Sequence, residues 1–302
     1  EGADLIIFAV PTQSISGILE TIRPRIKTDA VALNLAKGLE IPSLRRISQI
    51  LKPVFGKKQA VLSGPSFSRD ILVGNPVGLT LGSFDKSIGK TLRELFLTDS
   101  LDVKISRDLI GVEVGGALKN VYGLIAGLID GNNLGDSLRG DFISRSMVEM
   151  RDIGLYLGGK WSTFSGRSGL GDLIVTCTET SRNYRYGFAW SSAWLNSTGN
   201  KSERINMAKN AALESTKSST IEALGTLKAI YSIVDKANMH TPILQAAWGI
   251  LVDESEEVSQ LIPEIRRIDN LRTNEGIGPW RILIHSIIPR LWFRRKIKNK
   301  KK

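Results

Sequence analysis

The feature that most limits what this chain can fold into is a change of hydrophobic period near residue 108. Ahead of it, short apolar runs alternate with helical patterns. The first run, from Ala3 to Val10, is closed by Pro11 and reads as a parallel strand covered on both faces. Similar runs follow at 30–35, 59–62, 77–81 and 101–105, with helical patterns at 14–22, 43–51 and 86–97 between them. Such alternation builds a parallel or mixed sheet with right-handed crossovers. After Leu109 the spacing becomes three and four, with Val114, Ala117, Leu118, Val121, Leu124, Ile125 and Leu128 on one helix face. These patterns predict an α/β domain over 1–108, an all-helical domain over 109–268 and a basic amphipathic tail over 269–302.

Charge tests whether nucleic acid is the partner. The 302 residues carry a net +11, but the segment from Asp269 holds ten Lys/Arg against two Asp/Glu, a surplus of +8 that leaves only +3 for the rest. No basic groove across the body is implied, and no nucleic-acid partner is expected. A content of 42% hydrophobic and 24% charged residues excludes wholesale disorder and a multi-pass membrane protein. The single cysteine, Cys177, leaves no intramolecular disulfide, and with two histidines it gives too few soft ligands for a zinc or iron–sulfur site. No secretory signal pattern precedes the first apolar run, so a reducing, cytoplasmic setting is expected.

Four segments carry candidate chemistry. Asn34 to Gly38 and Gly64 to Phe67 each follow a predicted strand, where ligands of open α/β sheets bind, and they bring Lys37 and free backbone N–H groups to one rim. In the long helical pattern, Glu113, Gly116, Asn120, Gly123 and Gly127 form a small or polar stripe opposite the apolar face. Glycine costs a helix about 1 kcal/mol relative to alanine, so the stripe implies close approach, either of a ligand or of another backbone. Lys119 sits beside it, where burial without a partner would be costly and would shift its pKa; the plainer alternative is snorkelling to solvent. Gly169-Leu170-Gly171-Asp172-Leu173 offers a carboxylate to Lys119 or to a substrate hydroxyl. Ser181-Arg182-Asn183 offers a fork plus neutral donors that suit a phosphate dianion. The stretch from Gly187 to Ser219, rich in Ser, Asn, Thr and Lys, reads as a surface excursion.

Six segments in order resemble the NAD(P)-dependent glycerol-3-phosphate dehydrogenase family. They are Leu35 to Glu40, Gly64 to Phe67, Gly111 to Val121, Asp130-Gly131, Gly169 to Thr178 and Ser181 to Asn183. The resemblance covers roughly 3–268, and its most diagnostic pieces are Gly115-Gly116-Ala117-Leu118-Lys119-Asn120 and Gly169 to Leu173. It implies a Rossmann-type parallel sheet followed by an all-helical substrate domain. The implied reaction interconverts sn-glycerol 3-phosphate and dihydroxyacetone phosphate by hydride transfer with NAD or NADP, and supplies glycerol 3-phosphate for phospholipid synthesis. By position it makes Lys119 the proton acceptor, with Lys37 and Asp172 completing the catalytic set. Substrate contacts are then Lys37, Gly64, Ser66, Asn120, Asp172, Thr176, Ser181, Arg182 and Asn183, and cofactor contacts are Lys37, Ser68, Arg182, Thr220 and Glu222. No metal is implied; a homodimer is one possible assembly, and the sequence leaves the oligomeric state open.

Departures from the family pattern shape the alternatives. The sheet is expected to be incomplete at its N-terminus, because no Gly-x-Gly-x-x-Gly turn occurs in the chain, and weak cofactor binding follows from that reading. Arg167-Ser168 replaces an apolar–Ala pair. The tail places aliphatic and aromatic residues of 278–293 beside the basic cluster of 294–302, which predicts weak contact with an anionic membrane. A catalytically impaired fragment or membrane-surface scaffold is therefore the alternative reading, and a hydroxyacid or ketopantoate reductase a third that Ser181-Arg182-Asn183 disfavours.

Overall fold

A computed structural model describes residues 2–41, 43–217 and 221–265. The predicted tail and Thr220 lie outside the described residues. Five strands form one sheet in the order β1-β2-β3-β4-β5: β1 Leu5–Phe8, β2 Val31–Asn34, β3 Gln59–Ser63, β4 Val77–Ser83 and β5 Leu101–Ser106. Each falls within or overlaps an apolar run of the sequence. β1, β2 and β3 run parallel in a register that pairs Phe8 with Asn34 and Asn34 with Val61, so their carboxyl ends share one rim. The sheet is mixed, because β4 runs antiparallel to β3 while β5 is parallel to β4.

Helices cover both faces. α1 (Ile15–Ile22) and α2 (Ile47–Phe55) pack with Phe8, Ala30 and Ala32 on one side. On the other side Leu33, Leu62, Leu79 and Val103 meet Leu92 of α4 (Lys86–Phe96); α3 (Ser68–Leu72) is a short turn at the sheet's rim. Ala32 and Leu33 are neighbours on β2 yet enter different cores, as the two-residue period of a strand requires. α2 starts four residues later than its predicted helix. The intervening chain closes instead into a loop held by an antiparallel bridge between Leu39 and Arg46.

The second half is helical: α5 (Leu109–Gly131), α6 (Asp136–Tyr156), α7 (Trp161–Phe164), α8 (Asp172–Thr176), α9 (Arg182–Asn196), α10 (Lys201–Thr216), α11 (Glu222–Lys236) and α12 (Pro242–Leu251). α5 is its axis. By length and composition α5 could cross a bilayer, but 94% of its apolar stretch is buried inside the protein. Its first turns lie on the sheet, where Val61, Leu109 and Val112 form a small shared core. Gly82 of β4 permits this contact, since a Cβ there would come within 2.9 Å of the Leu109 backbone.

The segment from Gly187 to Ser219 is not a surface excursion over its described part. It is the remainder of α9 and all of α10, packed as a hairpin. Trp190, Trp194, Ile205, Ala208 and Ala212 are buried at helical spacing, and Asn200 with Glu203 forms a reciprocal capping box at the start of α10. Composition pointed to loop, whereas five apolar residues on one seam are enough to decide the structure.

Candidate functional site

Local sequence turns each site segment toward the same rim. At the end of β2, Asn34 Oδ1 accepts from the Ala36 N–H and Asn34 Nδ2 donates to the Ala36 carbonyl, both at 3.0 Å. This side-chain turn bends the chain across the strand ends and delivers Lys37. At the end of β3, Gly64 takes φ +149°, and a Cβ on it would lie 2.9 Å from the Gly78 carbonyl oxygen. Only glycine fits that bend. Further on, Arg167–Gly171 forms a π-helical turn, a widening often found at functional sites, and α8 starts directly from it with Asp172.

Three charges from distant parts of the chain meet here. Asp172 is fully buried and bridges two ammonium groups: Oδ1 lies 2.5 Å from Lys119 Nζ, and Oδ2 lies 2.7 Å from Lys37 Nζ. Lys37 also donates to the Gly64 carbonyl at 3.5 Å. Lys119 is only 8% exposed, so it does not snorkel; its partner is the carboxylate of the glycine turn. Burial, helped by the neighbouring Lys37 ammonium and opposed by Asp172, lowers its pKa from 10.5 to about 8. The result is an amine that exchanges its proton near working pH.

The other predicted residues are held in different ways. Asn120 is buried and donates to Glu222 Oε2 at 3.5 Å. The Glu222 carboxyl is raised by desolvation, against the pull of Arg182, Lys37 and Lys119. Ser66 Oγ donates to the Gly64 carbonyl at 3.0 Å, and Ser68 opens α3 on the exposed rim. Two hydroxyls are engaged in holding backbone. Thr176 Oγ1 donates to the Asp172 carbonyl at 2.6 Å, and Ser181 Oγ accepts from the Tyr184 N–H at 3.5 Å as the N-cap of α9. Arg182, exposed, and Asn183, half-buried, therefore sit in the first turn of α9 with that helix's positive end. Among the described residues no group of three His, Cys, Asp or Glu side chains gathers as metal ligands.

The glycine stripe is approached by protein along its length, by site side chains at one part and by neighbouring backbone at another. A Cβ on Gly116 would lie 2.7 Å from Ser63 Oγ and 3.5 Å from the stem of Lys37. On Gly123 it would meet Thr176 Cγ2 at 2.5 Å, and on Gly127 the Tyr184 carbonyl at 2.1 Å. Sequence reasoning missed Ser63, which is buried at the end of β3 and donates to Asp172 Oδ2 at 3.5 Å. The only sign of it was a hydroxyl closing an otherwise apolar run. Cys177 is buried, and its thiol is pushed up to about 12, so it is inert at neutral pH.

Comparison with known proteins gives the family. The model for the NAD-dependent glycerol-3-phosphate dehydrogenase C-terminus matches residues 108–262, and the one for the N-terminus of the same family matches 1–88. A glycerol-3-phosphate dehydrogenase of Nitratidesulfovibrio vulgaris, named as NAD(P)+-dependent, is 35% identical over 260 residues, which are 84% of this chain and 74% of that protein. A protein of the same name from Clostridium botulinum is 33% identical over 260 residues, covering 86% and 74%. The crystal structure of the Coxiella burnetii glycerol-3-phosphate dehydrogenase superposes with a TM-score of 0.77 at 27% identity, over 87% of this chain and 77% of that one.

Proposed function

The chain belongs to the NAD-dependent glycerol-3-phosphate dehydrogenase family, and from that premise we propose how its own side chains carry the reaction. It is an oxidoreductase that interconverts sn-glycerol 3-phosphate and dihydroxyacetone phosphate with NAD or NADP. One observation carries the assignment of roles: a buried carboxylate shared by two lysines, one of them with its pKa lowered to about 8, at the carboxyl end of the sheet.

When bound, the nicotinamide dinucleotide supplies or receives the hydride at C2. Lys119 handles the proton. In reduction its ammonium donates to the oxygen developing negative charge on C2; in oxidation the neutral amine accepts the hydroxyl proton. Asp172 orients that amine from below, and Lys37 places a second positive charge beside the same oxygen while keeping Lys119 easy to deprotonate. Arg182 and Asn183, on the first turn of α9, hold the phosphate, with a bidentate guanidinium and a helix N-terminus both suited to a dianion. Ser66 and the Gly64 backbone close the substrate rim.

The residues present fit the nicotinamide end of the cofactor. Lys37 and Arg182 supply cations toward an anionic ligand, and Ser68 and Glu222 lie on the exposed rim. The chain contains no Gly-x-Gly-x-x-Gly turn, so none of its residues is assigned to the pyrophosphate. A reducing, cytoplasmic setting is part of this proposal.

Two measurements test this reading. Oxidation of NADH or NADPH by dihydroxyacetone phosphate should fall by about 10²–10⁴ in Lys119→Ala. Calorimetric binding of glycerol 3-phosphate should weaken at least tenfold in Arg182→Ala. Equal turnover by the parent and Lys119→Ala would overturn the assignment.

A further inference from the structure

The loop that carries Lys37 is fastened at both ends, and the second fastening comes from the helix that carries Lys119. Its first end is the Asn34 turn. Its far end is the Leu39–Arg46 bridge, reinforced by Glu40, which accepts from Arg45 Nη2 at 2.9 Å and also from the hydroxyls of Ser16 and Ser43. Beyond the bridge, α2 begins without an acidic residue in its first turn and with Arg46 as its N-cap. The missing cap is provided by another element. Glu113 of α5 is 4% exposed and accepts from the Ser48 N–H at 2.7 Å, from Ser48 Oγ at 2.6 Å and from Arg46 Nη1 at 3.2 Å. Arg46 Nη1 also donates to Ser48 Oγ at 2.8 Å, which closes the cluster.

Glu113 and Lys119 are six residues apart on one rigid helix, about 9 Å along its axis. Between them Gly116 leaves room for the Lys37 stem, whose Cγ lies 3.5 Å from where a Cβ would be. We infer that Glu113 is a positioning residue: through Arg46 and the Leu39 bridge it fixes the Lys37 loop against α5, and so sets the separation of the two ammonium groups that share Asp172. A carboxylate remote from the substrate thereby controls how strongly Lys37 acts on Lys119. The inference rests on the proposed function only in regarding these two amines as functional; the clamp itself is geometry.

The charged and titratable groups facing Lys119 are Lys37 from the loop, Asp172 from α8, Cys177 just beyond it and Glu222 from α11. Releasing the clamp removes Lys37 from this set and admits water. Both changes favour the ammonium form of Lys119, so its titration moves upward.

The test is competitive labelling of the full chain with trace acetic anhydride from pH 6 to 11, without cofactor, reading the Lys119 peptide by mass spectrometry. The parent should titrate near 8. In Glu113→Gln, and to a smaller extent in Ser48→Ala, the midpoint should rise toward 10.5, with the basic limb of the kcat/KM profile following it. An unchanged midpoint in both folded variants overturns the clamp, even if their Tm falls. Ser48→Ala keeps the backbone N–H bond and so serves if Glu113→Gln does not fold. A labelling midpoint that moves while the activity profile stays fixed upholds the clamp and instead sinks the role of Lys119 as the acid–base group.

Discussion

The two halves of α5 use the same residue for different purposes. In the half from Leu109 to Asn120, Gly115 and Gly116 admit the segments that bring Asp172 and Lys37. A Cβ on Gly115 would lie 2.5 Å from the Ser168 carbonyl, and one on Gly116 2.7 Å from Ser63 Oγ. In the half from Val121 to Gly131, Gly127 and Gly131 admit the backbone of α9, which answers with Gly187, itself 2.0 Å from the Leu124 carbonyl by the same measure. Buried carboxylates divide in the same way. Asp108 caps α5 through the Gly111 N–H and also accepts from the Lys160 N–H and Thr163 Oγ1, while Glu113 ties down the Lys37 loop. In the other half a buried carboxylate of α6, Glu149, joins three helices through Tyr122 and the Ile243 and Leu244 N–H groups. A glycine stripe therefore reports that something approaches a helix closely, and only the approaching partner says whether this is packing or chemistry.

The division predicts opposite signatures for substitutions two or three turns apart. Lys119→Met keeps the aliphatic stem and deletes the proton carrier. Turnover should fall by about 10³, while Asp172 stays paired with Lys37 and urea unfolding shows no loss of stability. Gly127→Ala belongs to the packing half, where its Cβ meets the Tyr184 carbonyl at 2.1 Å and backbone must move. Stability should drop by about 1–3 kcal/mol, with kcat per folded molecule unchanged. Gly116→Ala meets a flexible lysine stem and a hydroxyl instead, and it gains about 1 kcal/mol of helix propensity. Its Tm should hold while kcat/KM falls roughly tenfold, since a small misplacement of a catalytic group suffices for that. If Gly116→Ala unfolds the protein, or Gly127→Ala selectively lowers kcat, the division is wrong.

How far the sequence alone reached can be judged on particular residues. Lys119 and Asp172 were legible because an ammonium in an apolar helix and a carboxylate in a glycine turn each need a partner, and each is the other's. Every strand of the sheet was visible as an apolar run, but the reversal of β4 was not, because strand direction leaves no mark on hydrophobic pattern. The α9–α10 hairpin was hidden by its polar surface, although Trp190, Trp194 and Ile205 were there to be counted. Ser63 and the clamp formed by Glu113 depend on residues 65 to 109 positions away, and no local spacing encodes such pairings.

A last prediction tests the packing half by pH. Glu149 of α6 accepts from the Leu244 N–H at 2.9 Å, from the Ile243 N–H at 3.0 Å and from Tyr122 Oη at 3.2 Å, so it caps α12 and anchors α5 in one step. Full burial, with Asp152 adding to it, pushes its carboxyl from 4.5 to about 8 in spite of those three donors. Between these values the folded protein holds a proton that the unfolded chain has released, so this group makes stability fall as pH rises from 4.5 to 8. Glu149→Gln does not titrate. The Tm of that variant relative to the parent should therefore rise across this window and level off above it, with the kcat/KM profile unmoved. A constant difference in Tm would show that Glu149 is ionised throughout. A shifted activity profile would show that the packing half also reaches the chemistry, and that α5 works as one unit instead of two.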